Sequence, residues 1–175
     1  MSNRFILRIV SLGLAVASAG LVSGAVAPGT VAASGTPTCL ARQLSARVVD
    51  WTGAAGSRIA DVEIVNTSFV HCSLRDFPQV KLVSSSGAVL IAGAPASTTA
   101  HTHGLPALAT LKTAVAASNY CGGAYTAPIT LAFALPGAAG QVIAIPAGAT
   151  SLSGVPPCNG APGSAGHIAM QALHG

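Results

Sequence analysis

The chain has 175 residues, of which only 7% are charged, and its formal net charge is +4 at pH 7. An ordinary globular domain carries about 25% charged residues. The basic residues are scattered and aromatic residues make up 4% of the chain, so the sequence lacks the basic patch and stacking platform of a nucleic-acid-binding protein.

The first 33 residues have the pattern of a secretory signal peptide. Arg4 and Arg8 make the N-terminal end positive, and an uncharged, mostly apolar stretch follows over residues 9–26. The small residues of Val31-Ala32-Ala33 predict cleavage before Ser34. Cleavage after Ala27 or after Ala32, and an uncleaved membrane anchor, are the alternatives.

Removal of the first 33 residues leaves six basic and four acidic residues, a net charge of +2. About 140 residues remain, which is enough for one domain with its own core. We predict a short leader over residues 34–38, one exported domain over residues 39–160 and a C-terminal tail over residues 161–175. The tail is interpreted either as loose or as a short helix from about His167 to Leu173.

Four cysteines follow the predicted signal peptide: Cys39, Cys72, Cys121 and Cys158. An even number of cysteines in an exported chain indicates two disulfides, with three possible pairings. We favour the sequentially local pairs Cys39–Cys72 and Cys121–Cys158. Since no two cysteines form a C-x-x-C pair, a thioredoxin-type redox site and a zinc ribbon are disfavoured.

Short runs with period-two alternation recur between turn signals after the first cysteine. The clearest is RIADVEIVN, residues 58–66, in which apolar residues alternate with Asp61 and Glu63. Residues 93–106 and 116–127 are predicted to be loops. The other predicted strands, in chain order, cover residues 44–51, 79–84, 88–92, 107–115, 129–135 and 141–145, and a further short strand is expected near Ser151.

Residues 128–147 carry no charge, which makes a transmembrane helix an alternative. Three prolines and the Pro136-Gly137 break favour two strands joined by a turn. Strands at this spacing, together with two disulfides, predict an all-β fold, an immunoglobulin-like antiparallel β-sandwich of about seven or eight strands. Trp51 is predicted to be a core anchor near the first disulfide.

Two sets of residues are candidates for chemistry. His101 and His103 are spaced to share one face of a strand, and with His71 they could bind zinc or copper, although exposed loop histidines are the plainer interpretation. Asp61 and Glu63 have the spacing of a glycosidase pair but are expected to be solubilising residues on a wet strand face. No nucleophile elbow, phosphate loop or dinucleotide fingerprint is present.

Asn66-Thr67-Ser68 matches a glycosylation sequon. An asparagine at the end of a predicted strand is more simply explained as a turn-forming residue. We therefore expect Asn66 to end the strand.

Several short motifs together resemble the family catalogued as domain of unknown function 4232, which occurs in exported proteins and lipoproteins of GC-rich Gram-positive bacteria. The resemblance covers residues 39 to about 158. Its motifs are Gly53-Ala54-Ala55-Gly56-Ser57, Ile64-Val65-Asn66, Cys72-Ser73-Leu74, Asp76-Phe77-Pro78-Gln79-Val80, Ser118-Asn119-Tyr120-Cys121 and Pro157-Cys158.

Asp76-Phe77 stands where the family usually has Gly-Tyr, which puts any role of that tyrosine hydroxyl in doubt. The resemblance implies an all-β exported domain and supplies no activity. Its recurring residues, such as Gly56, Asn66 and Pro78, are of structural types. The resemblance therefore implies that Cys72 forms a structural disulfide and that Pro78 starts a strand. Arg75 and Asp76 are expected to lie on the surface of a corner between strands. The alternative is that the two side chains together bind a ligand.

These observations predict a non-enzymatic domain, secreted or cell-wall associated, that uses no cofactor. It would bind wall material or another envelope protein through a weakly charged sheet face or through loops. One alternative is a copper- or zinc-binding envelope protein that uses His101 and His103. The other is a cell-wall hydrolase that uses Asp61 or Glu63.

Overall fold

The computed structural model describes residues 35–76, 78–95, 100–136, 139–146 and 154–175. The predicted signal peptide and the short strand expected near Ser151 lie outside these residues. Within them the fold is all-β, as predicted, and the only helical element is a single 3-10 turn at Ala41–Gln43. None of the described helices is long and apolar enough to cross a membrane.

Ten strands are formed by the described residues. In chain order they are β1 (Leu44–Ala54), β2 (Ser57–Asn66), β3 (Cys72–Arg75), β4 (Gln79–Ser84), β5 (Val89–Ala92), β6 (Thr102–Leu105), β7 (Thr110–Ser118), β8 (Ile129–Ala134), β9 (Gln141–Pro146) and β10 (His167–Met170). The uncharged stretch that suggested a membrane helix is thus two strands, β8 and β9.

Eight of the strands form one large sheet in the order β10-β7-β2-β1-β9-β8-β4-β5. Neighbouring strands in this sheet run antiparallel, except for β1 and β9, which run parallel to each other. The predicted all-β, sandwich-like fold with two disulfides is confirmed. It differs in detail, because this one pair is parallel and the described residues form ten strands rather than about seven or eight. The sheet curls so that its last strand at one edge, β10, contacts β4 and β5 at the other edge.

The two ends of the large sheet are easily distinguished. Leu44 of β1 pairs with Asn66 of β2 at one end, called the Asn66 end below. At the opposite end, called the turn end, β1 and β2 are joined by a tight turn at Ala55-Gly56, with Gly56 at φ +86°. A positive φ has little energetic cost only for glycine, which explains why the motif Gly53–Ser57 has glycine at position 56.

A separate two-stranded sheet is formed by β3 and β6. Both strands were missed by the sequence analysis, which placed β3 in a corner and β6 in a loop over residues 93–106. Each has only four residues, which is too short for a reliable alternation signal. The buried residues Cys72, Leu74 and Leu105 of this small sheet belong to the core cluster of the large sheet, so the small sheet is a second layer.

The C-terminal tail is neither loose nor helical. Residues His167–Met170 form β10 and pair with Val115–Ser118 of β7. Beyond β10, His174 and Lys112 exchange backbone hydrogen bonds of 2.7 and 3.0 Å, and Leu173 is buried. Residues 161–175 therefore belong to the domain, and its predicted end at residue 160 is too early.

Both disulfides have the pairing favoured from the sequence, Cys39–Cys72 and Cys121–Cys158. The first joins the segment before β1 to the start of β3. Trp51 is buried, as expected of a core anchor. Its indole lies so close to Gly154 that a Cβ there would come within 2.7 Å of Cζ2. Trp51 therefore packs against the segment that leads to Cys158 of the second disulfide.

Candidate functional site

The small sheet has two chemically different faces. On β3, Cys72 and Leu74 are buried, whereas Ser73 and Arg75 are half-exposed. Arg75 lies opposite Thr102 of β6, and Leu74 lies opposite His103. Since side chains alternate along a strand, His103 shares the inner face with Leu74, and Arg75 and Thr102 share the outer face.

Asp76, directly after β3, is buried on the inner side, with 2% of its surface exposed. Its Oδ1 is 2.9 Å from Nε2 of His103 and accepts a hydrogen bond of 2.8 Å from the backbone N–H of Leu173. The expectation that Asp76 decorates the surface of a corner is therefore wrong. The carboxylate instead joins β6 and the C-terminal segment to the end of β3.

A histidine that meets a buried acid is the geometry that a hydrolase would need, but a nucleophile must complete it. The acid here contacts Nε2, and the other ring nitrogen of His103 makes no hydrogen bond within the described residues. The arrangement can therefore orient a histidine and hold two segments together. Among the described residues, no hydroxyl group is hydrogen bonded to His103.

The three histidines proposed for metal binding are not gathered in one place. His101 is exposed just before β6, His103 faces the inner side, and the ring of His71 lies beside Gly104. Across the described residues, no group of three or more His, Cys, Asp or Glu side chains could hold a metal ion.

The acidic residues of β2 lie on an exposed face with cations from both neighbouring strands. Glu63 accepts hydrogen bonds of 2.9 and 2.6 Å from Arg47 of β1, and its other oxygen is 3.5 Å from Lys112 of β7. The hydrogen bond from Arg47 lowers the pKa of the Glu63 carboxyl. Asp61 is exposed and lies opposite Asp50. Glu63 thus belongs to a cross-strand ion network.

Asn66 has no exposed surface and organises two loops at its end of the sheet. Its Nδ2 donates to the carbonyls of Val70, Leu105 and Pro106 at 2.8–3.1 Å, while its Oδ1 accepts from the backbone and hydroxyl of Ser68. The predicted role of ending the strand is confirmed. A buried side chain with these contacts has no room for a glycan.

The two loops held by Asn66 carry a group of exposed apolar side chains, Phe69, Val70 and Leu108, which we call the apolar tip. Phe69 is 89% exposed, Val70 53% and Leu108 61%. Leu108 has φ +61° and donates its N–H to the carbonyl of Asn66 at 2.9 Å. Sequence reasoning missed the tip, although an adjacent phenylalanine and valine after a turn-forming Asn-Thr-Ser was a signal for it.

A cleft of about 530 Å³ lies on the outer side of the small sheet. It is lined by the hydroxyl residues Thr38, Ser73 and Thr102, by Arg75, and by Leu40, Pro136 and Ala139. A cavity of this size with a few polar groups and apolar walls is typical of small-ligand sites.

The remaining motif residues serve the architecture. Asn119, at φ +58° after β7, accepts a hydrogen bond from the backbone of Asn159 and donates to Ala165, so it attaches the segment around Cys158. Pro78 is buried directly before β4, as expected for a residue that starts a strand.

The comparison with curated proteins gives no match, and the comparison with solved structures gives none either. A family model, by contrast, matches residues 39–166, which is most of the chain. This span runs from the first cysteine to the residue before β10, and it contains the small sheet, Asn66 and both disulfides. The chain therefore belongs to the family described as Domain of unknown function (DUF4232).

Proposed function

We propose that this protein is an exported, non-enzymatic binding module of the cell envelope or the extracellular medium, and that the apolar tip is part of its binding surface. Its partner is wall material or another envelope protein. Two disulfides and the signal-like first 33 residues support an oxidising, extracytoplasmic location.

The observation that carries the proposal is the exposure of Phe69 on a loop that is internally hydrogen bonded. Exposed apolar side chains that lie together mark interaction sites, whereas exposed apolar side chains that are scattered singly do not. Ser68 and Val70, on either side of Phe69, are both bonded to the Asn66 side chain, so the ring is presented by an ordered loop. An ordered loop loses little conformational entropy on binding.

The backbone of Leu108 supports the same interpretation. A left-handed conformation at a non-glycine residue costs on the order of 1 kcal/mol or more. Here it turns an apolar side chain outward rather than into the core. Because the side chain of Leu108 is exposed, this backbone strain stabilises no contact with the core. Contact between the side chain and a binding partner would explain the strain.

The test is cosedimentation of the purified, disulfide-bonded protein with isolated bacterial cell walls and, separately, with envelope membranes carrying their proteins. Burial of a phenylalanine or leucine side chain stabilises by about 1.5–3 kcal/mol. The double variant Phe69→Ser/Leu108→Ser should therefore weaken binding at least about 10-fold.

Val89→Ser is the matched control, because Val89 is a comparably exposed apolar residue, at 52%, on the edge strand β5. It should bind like the unchanged protein. Equal loss in both variants, or no binding to either fraction, would contradict the proposal. Hydrolysis of wall polymer that is abolished by substitution of Asp61 or Glu63 would replace it with the hydrolase alternative.

A further inference from the structure

The outer face of the small sheet carries a row of polar side chains that the core does not use. His71, Ser73 and Arg75 follow the alternation of β3, in which the intervening Cys72 and Leu74 are buried. At about 3.3 Å per residue, the row extends over about 13 Å.

One end of this row depends on a glycine. Gly104 lies opposite Ser73 in β6, and a Cβ added there would come 3.0 Å from Nε2 of His71. The imidazole therefore lies over position 104, on the side to which a side chain would project. Because Gly104 has no side chain, the ring of His71 can lie across the outer face, where its nitrogens can donate or accept a hydrogen bond.

The side chain of Arg75, at the other end of the row, makes no hydrogen bond or ion pair within the part of the chain that the structure describes. Arg47 and Lys112 differ in this respect, because both contact Glu63. A guanidinium group has a planar set of donors that matches a carboxylate or a phosphate in two parallel hydrogen bonds. Among the described residues nothing fills these donor positions of Arg75, and the side chain lines the cleft.

No acidic side chain offsets this charge at the cleft. The lining residues include no aspartate or glutamate among those described, and the nearby Asp76 is buried on the inner side with His103 and Leu173. The hydroxyl groups of Thr38 and Thr102 add donors, and Leu40, Pro136 and Ala139 add apolar wall.

We propose that this cleft binds a carboxylate or phosphate group attached to a ring-shaped or aliphatic body. Arg75 binds the anionic group, the hydroxyls beside it complete its hydrogen bonding, and the body packs against the apolar wall. An acidic glycan or a polyol-phosphate polymer combines these features. This inference rests on the proposed function and adds a ligand site that shares no residue with the apolar tip.

The test is a titration of the purified, disulfide-bonded protein, followed by amide NMR shifts. The probes are a uronic acid trisaccharide, a glycerol-phosphate trimer and a neutral trisaccharide. We expect shifts at Ser73, Arg75 and Thr102 with at least one anionic probe and none with the neutral one. Saturation by the uronate alone identifies a carboxylate ligand, saturation by the phosphate alone identifies a phosphate ligand, and saturation by both supports the shared chemistry.

Arg75→Gln should weaken the anion affinity about 10-fold or more, because it removes a charge-assisted pair of hydrogen bonds. Arg58→Gln makes the same change of charge at the turn end of β2 and should change the affinity less than about twofold. Absence of shifts, shifts at other residues only, or equal losses in the two variants would overturn the inference.

The apolar-tip variant separates this inference from the proposed function. Phe69→Ser/Leu108→Ser should lose wall or membrane binding and keep binding of the small anions. Binding to walls through the tip by a protein that ignores both anionic probes would overturn the ligand assignment alone. Anion binding by a protein that sediments with neither fraction would contradict the proposed function alone.

Discussion

At the scale of single residues, three buried polar side chains hold together segments that are distant in sequence. Asn66 reaches the carbonyl of Leu105, and Asp76 accepts from the backbone of Leu173. Thr113 donates its hydroxyl to the carbonyl of Gln171. Since buried polar groups are costly when unpaired, these side chains make the positions of the loops and of the C-terminal segment depend on one another.

Asn66→Asp keeps the shape of the side chain and replaces its donor group with an oxygen. That oxygen would face the three carbonyls that now accept from Nδ2. We expect the free energy of unfolding to fall by about 3 kcal/mol or more, since buried acceptors lose their donor and a charge is buried. Urea unfolding measures the change.

The control is Asn159→Asp, in which the exposed side chain loses one hydrogen bond of 3.3 Å to the carbonyl of Gly56. Its cost should stay within about 1 kcal/mol. Similar costs at both positions would show that the Asn66 network does not stabilise the loops.

Glu63 makes the stability of the protein depend on pH. Because the pKa of Glu63 is lowered by its hydrogen bond to Arg47, the unfolded state binds more protons than the folded state at acidic pH, so this contribution rises with pH. It should be complete above the ordinary pKa of 4.5 and be lost as the pH falls through the lowered value.

The measurement is the difference in unfolding free energy between the unchanged protein and Glu63→Gln across acidic to neutral pH. Arg47→Gln should remove much of the same pH-dependent difference, since Arg47 is the main cause of the shift. A difference that does not vary with pH would refute this assignment.

At the scale of elements, the curled sheet requires close approach between its two edge regions. Gly93 follows β5 and donates its N–H to the carbonyl of Val80 at 2.8 Å. A Cβ at Gly93 would come within 2.8 Å of the Val80 oxygen and 3.3 Å of the Ile168 side chain in β10. The absence of a side chain therefore allows β10 and the β4–β5 hairpin to meet.

Gly93→Ala should destabilise the protein by about 1–3 kcal/mol, because a backbone atom must move to admit the methyl group. Gly123→Ala is the control, since a Cβ there has no neighbour within 4 Å. Thermal unfolding should show a lower midpoint for the first variant only. An unchanged midpoint for Gly93→Ala would mean that the two edges are not tightly packed.

At the scale of the whole molecule, the two disulfides act in different regions. Cys39–Cys72 lies near the Asn66 end, because Cys72 starts β3 beside the loop that carries the apolar tip. Cys121–Cys158 follows the end of β7 at Ser118, which pairs with Ser57 at the turn end. Each bond closes a loop of similar length, with sequence separations of 33 and 37 residues.

Replacing either cysteine pair by alanine should cost about 3–4 kcal/mol, since the two loops are alike in length. Only Cys39→Ala/Cys72→Ala should also weaken binding through the apolar tip, because it releases the start of β3. Urea unfolding and wall or membrane cosedimentation measure the two effects. Equal loss of binding in both double variants, at temperatures where both are folded, would contradict a local role for the first disulfide.

The sequence by itself determined the all-β class and the longer strands, because alternation such as that of Asp61 and Glu63 against apolar neighbours is a local property of one strand. It also predicted the role of Asn66 through turn chemistry, and the family resemblance implied that Pro78 starts a strand. For the cysteines it left three pairings open and only favoured the local one.

Only the tertiary structure decided that β3 pairs with β6, that the tail forms β10 and that β9 runs parallel to β1. It also decided that Asp76 is buried while Phe69 is exposed, the reverse of what their polarity suggests. These outcomes depend on contacts between residues far apart in the chain, such as Asp76 with Leu173. A pattern within a few neighbouring residues contains no information about such partners.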